Sequence, residues 1–158
     1  LHRVDRRQRQ MCIRDSYETQ EAARTGHAVI STVHAISCEK IYDRILDLCS
    51  LKGNLSDKLL SRFVVDAFPI TFFIKKMEDN VRRITEICEC SIDSDGTRKL
   101  NRLYQYHTLH NDIVKGKTVI TGKFERVGVI STKLQQTLRD NGIPEALLQN
   151  FIGGGEHT

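Results

Sequence analysis

No complete glycine-rich phosphate loop is written in this chain, although one tripeptide invites the reading. Gly116-Lys117-Thr118 is the only Gly-Lys-Thr, and the pattern G-x-x-x-x-G-K-[ST] requires glycine at position 111, which is Asn111. No apolar run approaches the roughly 20 residues needed to cross a bilayer as a helix. The five cysteines, Cys12, Cys38, Cys49, Cys88 and Cys90, are odd in number and scattered, so they form no disulfide framework. A reducing cytosol is the simpler expectation. Internal repeats and low-complexity tracts are also missing, which excludes solenoid and fibrous classes.

Basic charge gives little support to nucleic-acid binding. The chain has 24 Lys and Arg against 20 Asp and Glu, but five arginines and two aspartates fall in Leu1–Ser16, leaving 19 against 18 beyond it. A nucleic-acid footprint requires a clustered basic face, and the remaining sequence has none. Residues 1–16 show no helical or strand periodicity. Met11-Cys12-Ile13-Arg14-Asp15-Ser16 resembles translated adaptor sequence at the end of an assembled fragment. We expect residues 1–16 to be a non-native leader or a disordered arm, and exclude them from fold reasoning. The rest, roughly 140 residues, suffices for a compact unit with a hydrophobic core.

The most informative stretch runs from Ala23 to Ala35, ARTGHAVISTVHA. A Thr25-Gly26-His27 corner leads into an apolar, β-prone run that ends in His34, so two imidazoles and the hydroxyls of Ser31 and Thr32 are attached to one expected buried strand, Ala28–Val33, with Ala28 and Ile30 deeper along the face of Thr32 and His34. Alternation puts Thr32 and His34 on one face and Ser31 and Val33 on the other. In open α/β sheets ligands lie beyond the carboxyl ends of strands, where Thr32 and His34 would stand.

The remaining elements follow from periodicity and punctuation. Residues 17–24 are rich in helix formers, with Gly26 as a stop. Ser37 caps a helix carrying Ile41, Ile45 and Leu48, closed by Gly53-Asn54. Ser56 opens a second helix with Leu59, Leu60, Phe63 and Val64, ended by Pro69. Ile70–Met77 reads as a strand, Glu78–Asn80 as a turn, and Val81–Ile92 as its partner, with Val81, Ile84 and Ile87 expected to share the core through a twist or bulge. After the Asp93–Gly96 turn, Leu100–His107 is a third strand. Asn111–Val129 reads as a loop with at most a short hairpin. Ser131 starts a helix stopped by Gly142, and Pro144 begins a short helix through Phe151. Residues 153–158 are expected to fray.

Cys88 and Cys90 with His107 and His110 raise a metal site. Residues two apart on a strand do not make the tight C-x₂₋₄-C knuckle that zinc prefers, so buried core cysteines are the expectation and no metal is assigned.

The pattern Gly26-His27-x-x-x-Ser31-Thr32-x-His34-Ala35, followed by a helix start at Ser37–Lys40, resembles the histidine box of the type II/IV secretion traffic ATPases. The approach Tyr17–His27 is most similar to the branch that assembles Tad/Flp pili, with looser agreement at Phe68-Pro69-Ile70-Thr71 and Asn141-Gly142-Ile143-Pro144. The resemblance spans about Tyr17 to Ile152. It implies an α/β fold, the C-terminal portion of a RecA-like P-loop NTPase domain, with a mixed sheet, an antiparallel β-meander and flanking helices. It also implies a homohexameric bacterial ATPase using ATP and Mg²⁺, cytoplasmic at the inner face of the membrane and working with inner-membrane pilus or secretion platform proteins. By that resemblance His34 senses the γ-phosphate, Thr32 is a second polar contact, and His27 and Arg24 are cofactor-binding candidates. The family's phosphate loop and Walker B carboxylates would precede Tyr17, so this chain alone is expected neither to bind Mg-ATP tightly nor to hydrolyse it. The alternative is a non-catalytic α/β domain that presents its meander and terminal helices to a partner protein.

Overall fold

The structure is a computed structural model that describes residues 18–19, 21–23, 25–51 and 55–152. Expectations for residues 1–16, Tyr17, Arg24, Gly53-Asn54 and residues 153–158 lie outside the described residues. The fold is mixed α/β, with helices α1 (Cys38–Ser50), α2 (Asp57–Ala67), α3 (Thr132–Asp140) and α4 (Glu145–Ile152) flanking a four-stranded antiparallel sheet. Strands β1 (Ile70–Lys76), β2 (Arg82–Ile92), β3 (Arg98–Val114) and β4 (Lys117–Arg126) follow one another across the sheet in chain order. Among the described residues no helix is long and apolar enough to cross a membrane.

The chain divides into two compact units, one comprising residues up to Phe73 with Cys90–Leu100, the other Ile74–Glu89 with Asn101 onward. In the first, the amphipathic faces of α1 and α2 join in a core of Ile41, Tyr42, Ile45, Cys49, Leu60, Val64, Val65 and Cys90. The 3–4 residue spacing of these positions is that of helix stripes. Ser37 caps α1, its hydroxyl accepting from the Lys40 N–H at 3.3 Å. Tyr42 is fully buried and spends its hydroxyl proton on the Phe68 carbonyl at 2.7 Å, next to the end of α2. Burial pushes its phenol pKa up. Arg98 bonds Asp43 and lies over the Tyr42 ring, 5.6 Å from its centroid. Lys40 and then Arg98 hold the Asp43 carboxyl below its ordinary range.

The second unit holds the long β3–β4 hairpin. Lys115 and Gly116, at φ 50° and 75°, make the two-residue turn, and Val114 faces Lys117 across it. Two consecutive positive φ values match the right-handed twist of the strands. A register shift between Thr108 and His110 interrupts the ladder. Tyr104 and Phe124 stack across the hairpin with centroids 5.5 Å apart. Glu89, buried in β2, accepts from the Ser131 N–H at 2.7 Å, from the Ser131 hydroxyl, and from Asn101 Nδ2 at 3.4 Å. The Ser131 oxygen in turn accepts from the Leu134 N–H at 3.2 Å, so a buried carboxylate fixes the residue that caps α3.

Four readings of the sequence are corrected. Ala28–Val33 is not a strand: none of the four strands includes it, and without a ladder partner among the described residues its backbone gains nothing from strand geometry. The sheet among the described residues is accordingly antiparallel rather than mixed. Asn111–Val129 is mainly strand rather than loop, because β3 extends to Val114 and β4 fills Lys117–Arg126. Val81 and Ile84 do not join the core and are exposed.

Candidate functional site

The segment between the N-terminal helical residues and α1 carries every site residue expected from the sequence. Residues 21–23 are helical, and the backbone then closes in a Schellman arrangement. The Gly26 N–H donates to the Ala23 carbonyl at 3.1 Å, and the His27 N–H to the Ala22 carbonyl at 3.1 Å. Gly26 stands at φ 89°, in the left-handed region that glycine adopts without a Cβ penalty. The corner read from Thr25-Gly26-His27 is therefore a helix stop that sets where His27 begins its path.

Thr25 occupies the last position before that stop. Its hydroxyl donates to the Ala22 carbonyl at 2.9 Å and lies 3.3 Å from the Glu21 carbonyl. The same oxygen is 3.1 Å from His27 Nδ1. Residues 27–35 then run without helix or strand, yet their burial is patterned. Thr32 and His34 are exposed, whereas Val33 and Ala35 are half-buried and pack on the α1–α2 core. The two-face pattern expected of a strand does not hold throughout, since Ser31, expected on the face of Val33, is exposed like Thr32. Ile30, which strand alternation would put on the face of Thr32 and His34 and deeper in the fold, is instead 97% exposed.

Of the four site residues inferred from the sequence, His27, Thr32 and His34 are exposed and Arg24 lies outside the described residues. Ser31 is exposed as well. Hydroxyls and imidazole N–H groups are hydrogen-bond donors, and those of Ser31, Thr32, His34 and His27 are open to solvent. Sequence reasoning overlooked the Thr25 hydroxyl. Its signal was present in the Thr-x-His spacing across a glycine corner, which folds the hydroxyl and the ring together.

The metal reading of Cys88 and Cys90 with His107 and His110 gains no geometry. The four described cysteines are buried thiols, with no disulfide among them, while His107 and His110 are exposed on β3. Neither histidine joins a candidate metal-ligand group among the described residues. His107 instead lies 3.9 Å from the Glu125 carboxylate, which Lys123 contacts at 3.0 Å; that Lys123 contact, then His107, lowers the Glu125 pKa.

Compared with protein-family models and with curated proteins, the chain has no match.

Proposed function

We propose that this chain is the C-terminal part of a hexameric, RecA-like ATPase that powers pilus assembly or type II/IV secretion by coupling ATP hydrolysis to subunit motion. The observation that carries the reading is the residue pattern from Gly26 to Ala35, with Thr32 and His34 turned to solvent while Val33 and Ala35 anchor the segment on the core. A histidine with only a packing role would be expected among those inward positions. In phosphoryl transfer the protein contributes mainly positioning and stabilisation of developing charge. His34 is suited to that work as a donor to a phosphate oxygen, with Thr32 beside it. ATP with Mg²⁺ would supply the transferable phosphoryl group, and the phosphate loop would come from sequence upstream of Tyr17.

The test is to extend the reading frame upstream of Tyr17 and to measure Mg-ATP binding by both polypeptides. A glycine-rich phosphate loop upstream, with tight binding by the longer chain and none by this one, is the expected result. An upstream sequence without such a loop would end the nucleotide reading.

A non-catalytic interaction domain is the second reading. One observation favours it: Leu147 and Phe151, four residues apart on α4, are exposed, as is Ile143 just before that helix. Replacing the three with serine would abolish partner capture in that case, and unchanged capture would remove this reading.

A further inference from the structure

We infer that Thr25 is a positioning residue that holds His27 as the Nδ1–H tautomer, so that Nε2 is the nitrogen His27 offers to a ligand. The inference rests on the nucleotide-site reading for its functional meaning, and on hydrogen-bond geometry alone for its substance.

A threonine hydroxyl has one proton to donate and two lone pairs with which to accept. At Thr25 the proton is directed at the helix end: the Ala22 carbonyl is the nearest acceptor at 2.9 Å, with the Glu21 carbonyl behind it at 3.3 Å. The remaining short contact of that oxygen is His27 Nδ1 at 3.1 Å. With the proton assigned to the Ala22 carbonyl, which also accepts the Thr25 and His27 N–H groups, the oxygen accepts from the ring and Nδ1 carries the hydrogen. A neutral imidazole has one N–H and one lone pair, and the hydrogen bond made at one nitrogen sets the role of the other. Nε2 is thereby left as the acceptor.

The backbone brings this pair together on an exposed corner. The His27 N–H is bonded to Ala22 and Gly26 sits in the left-handed region, so the Schellman turn keeps the His27 Cα within reach of Thr25, and the Oγ1–Nδ1 contact selects the ring rotamer. The consequence for chemistry is specific. Neutral His27 cannot donate from Nε2 to a phosphate oxygen. It can accept a proton from a water or hydroxyl, or present a lone pair to a divalent cation. That assigns His27 a different task from His34, for which phosphate contact through an N–H is the expected role.

The test uses this chain, labelled with ¹⁵N, and the two-bond ¹H–¹⁵N correlations of its imidazoles, which distinguish the tautomers in the neutral ring. The expected pattern for His27 is a protonated Nδ1 with an unprotonated Nε2. Thr25→Val, which keeps the shape and removes the hydroxyl, should shift His27 to the Nε2–H pattern. Thr25→Ser should retain the wild-type pattern. Backbone amide spectra of α1 and α2 monitor the fold, and unchanged α1 and α2 spectra in Thr25→Val attribute the shift to the hydroxyl. An Nε2–H pattern in the wild type, or a Thr25→Val pattern identical to wild type, would overturn the proposal. No nucleotide enters the measurement, so its failure leaves the nucleotide-site reading standing, and failure of that reading leaves the tautomer assignment intact.

Discussion

Arg83 grips Asp79 through two parallel hydrogen bonds, Nη1 to Oδ1 at 2.8 Å and Nη2 to Oδ2 at 2.6 Å, across the β1–β2 turn. The guanidinium reaches further, to the Ile120 carbonyl at 3.0 Å, and lies 5.7 Å from the centre of the Tyr106 ring. One side chain thus ties a turn to the opposite edge strand within the same unit. Planar, bidentate geometry suits arginine and is poorly reproduced by lysine.

This pairing makes a pH prediction. Arg83, as the leading cause, holds the Asp79 carboxyl at about 2 rather than its ordinary 3.8. A depressed folded-state pKa contributes stability that is present above the unfolded value and is lost as pH falls through the folded one. Asp79→Asn should therefore unfold at lower urea than wild type near neutral pH. The two midpoints should converge as pH falls from 3.8 towards about 2. A gap of constant size across that range would contradict the assignment.

Glu89 supplies a second prediction. Its carboxylate satisfies the backbone and hydroxyl of Ser131 and reaches Asn101 from a buried position. Glu89→Gln keeps the size but replaces an acceptor with a donor that faces other donors. The expected cost is about 1–3 kcal/mol, the range for leaving a buried partner unsatisfied. Ser131→Ala should cost about 1 kcal/mol, as lost N-caps do. Hydrogen exchange should locate the loss in the first turn of α3, and unchanged protection of Leu134 and Gln135 in both variants would refute it.

Gly122 is needed for space rather than for backbone conformation. A Cβ there would stand 2.4 Å from Tyr106 Cζ and 2.5 Å from the His107 carbonyl oxygen, and the second of these is backbone that cannot step aside. Gly122→Ala should cost about 1–3 kcal/mol by overpacking. Gly116, whose Cβ would meet nothing within 4 Å but whose φ is positive, should accept asparagine more readily than alanine. Thermal unfolding of the three variants checks the ranking, and a Gly122→Ala protein as stable as wild type would reverse it.

The fold was readable in the sequence where a single residue type decides a local outcome. Ser37 and Ser131 cap helices because a hydroxyl at that point can accept an orphan N–H, and both do. Gly26 and Gly142 stop helical segments in left-handed conformations, each followed by an N–H that reaches back five residues. The β3–β4 hairpin escaped because its strands mix threonine, asparagine, aspartate and lysine with few apolar positions, and its turn is Lys-Gly rather than the stronger Asn-Gly or Asp-Gly signal. Ala28–Val33 misled in the opposite direction: strand propensity describes a fit to neighbours, and among the described residues no neighbouring strand is present to pair with it. At the candidate site, the exposure of Ser31, Thr32 and His34 did not follow from strand alternation, because no strand forms there. The Thr25–His27 contact was not legible either, since it depends on how a glycine corner folds back.

The measurement that bears most directly on the account is ATP turnover by the upstream-extended polypeptide, in wild type and in His34→Ala. The expected result is a loss of about tenfold or more in turnover, a cost of about 1.4 kcal/mol or more in the barrier, with unfolding midpoints unchanged because the ring is exposed. Wild-type hydrolysis and wild-type coupled motion in His34→Ala would contradict it and remove this histidine from the site.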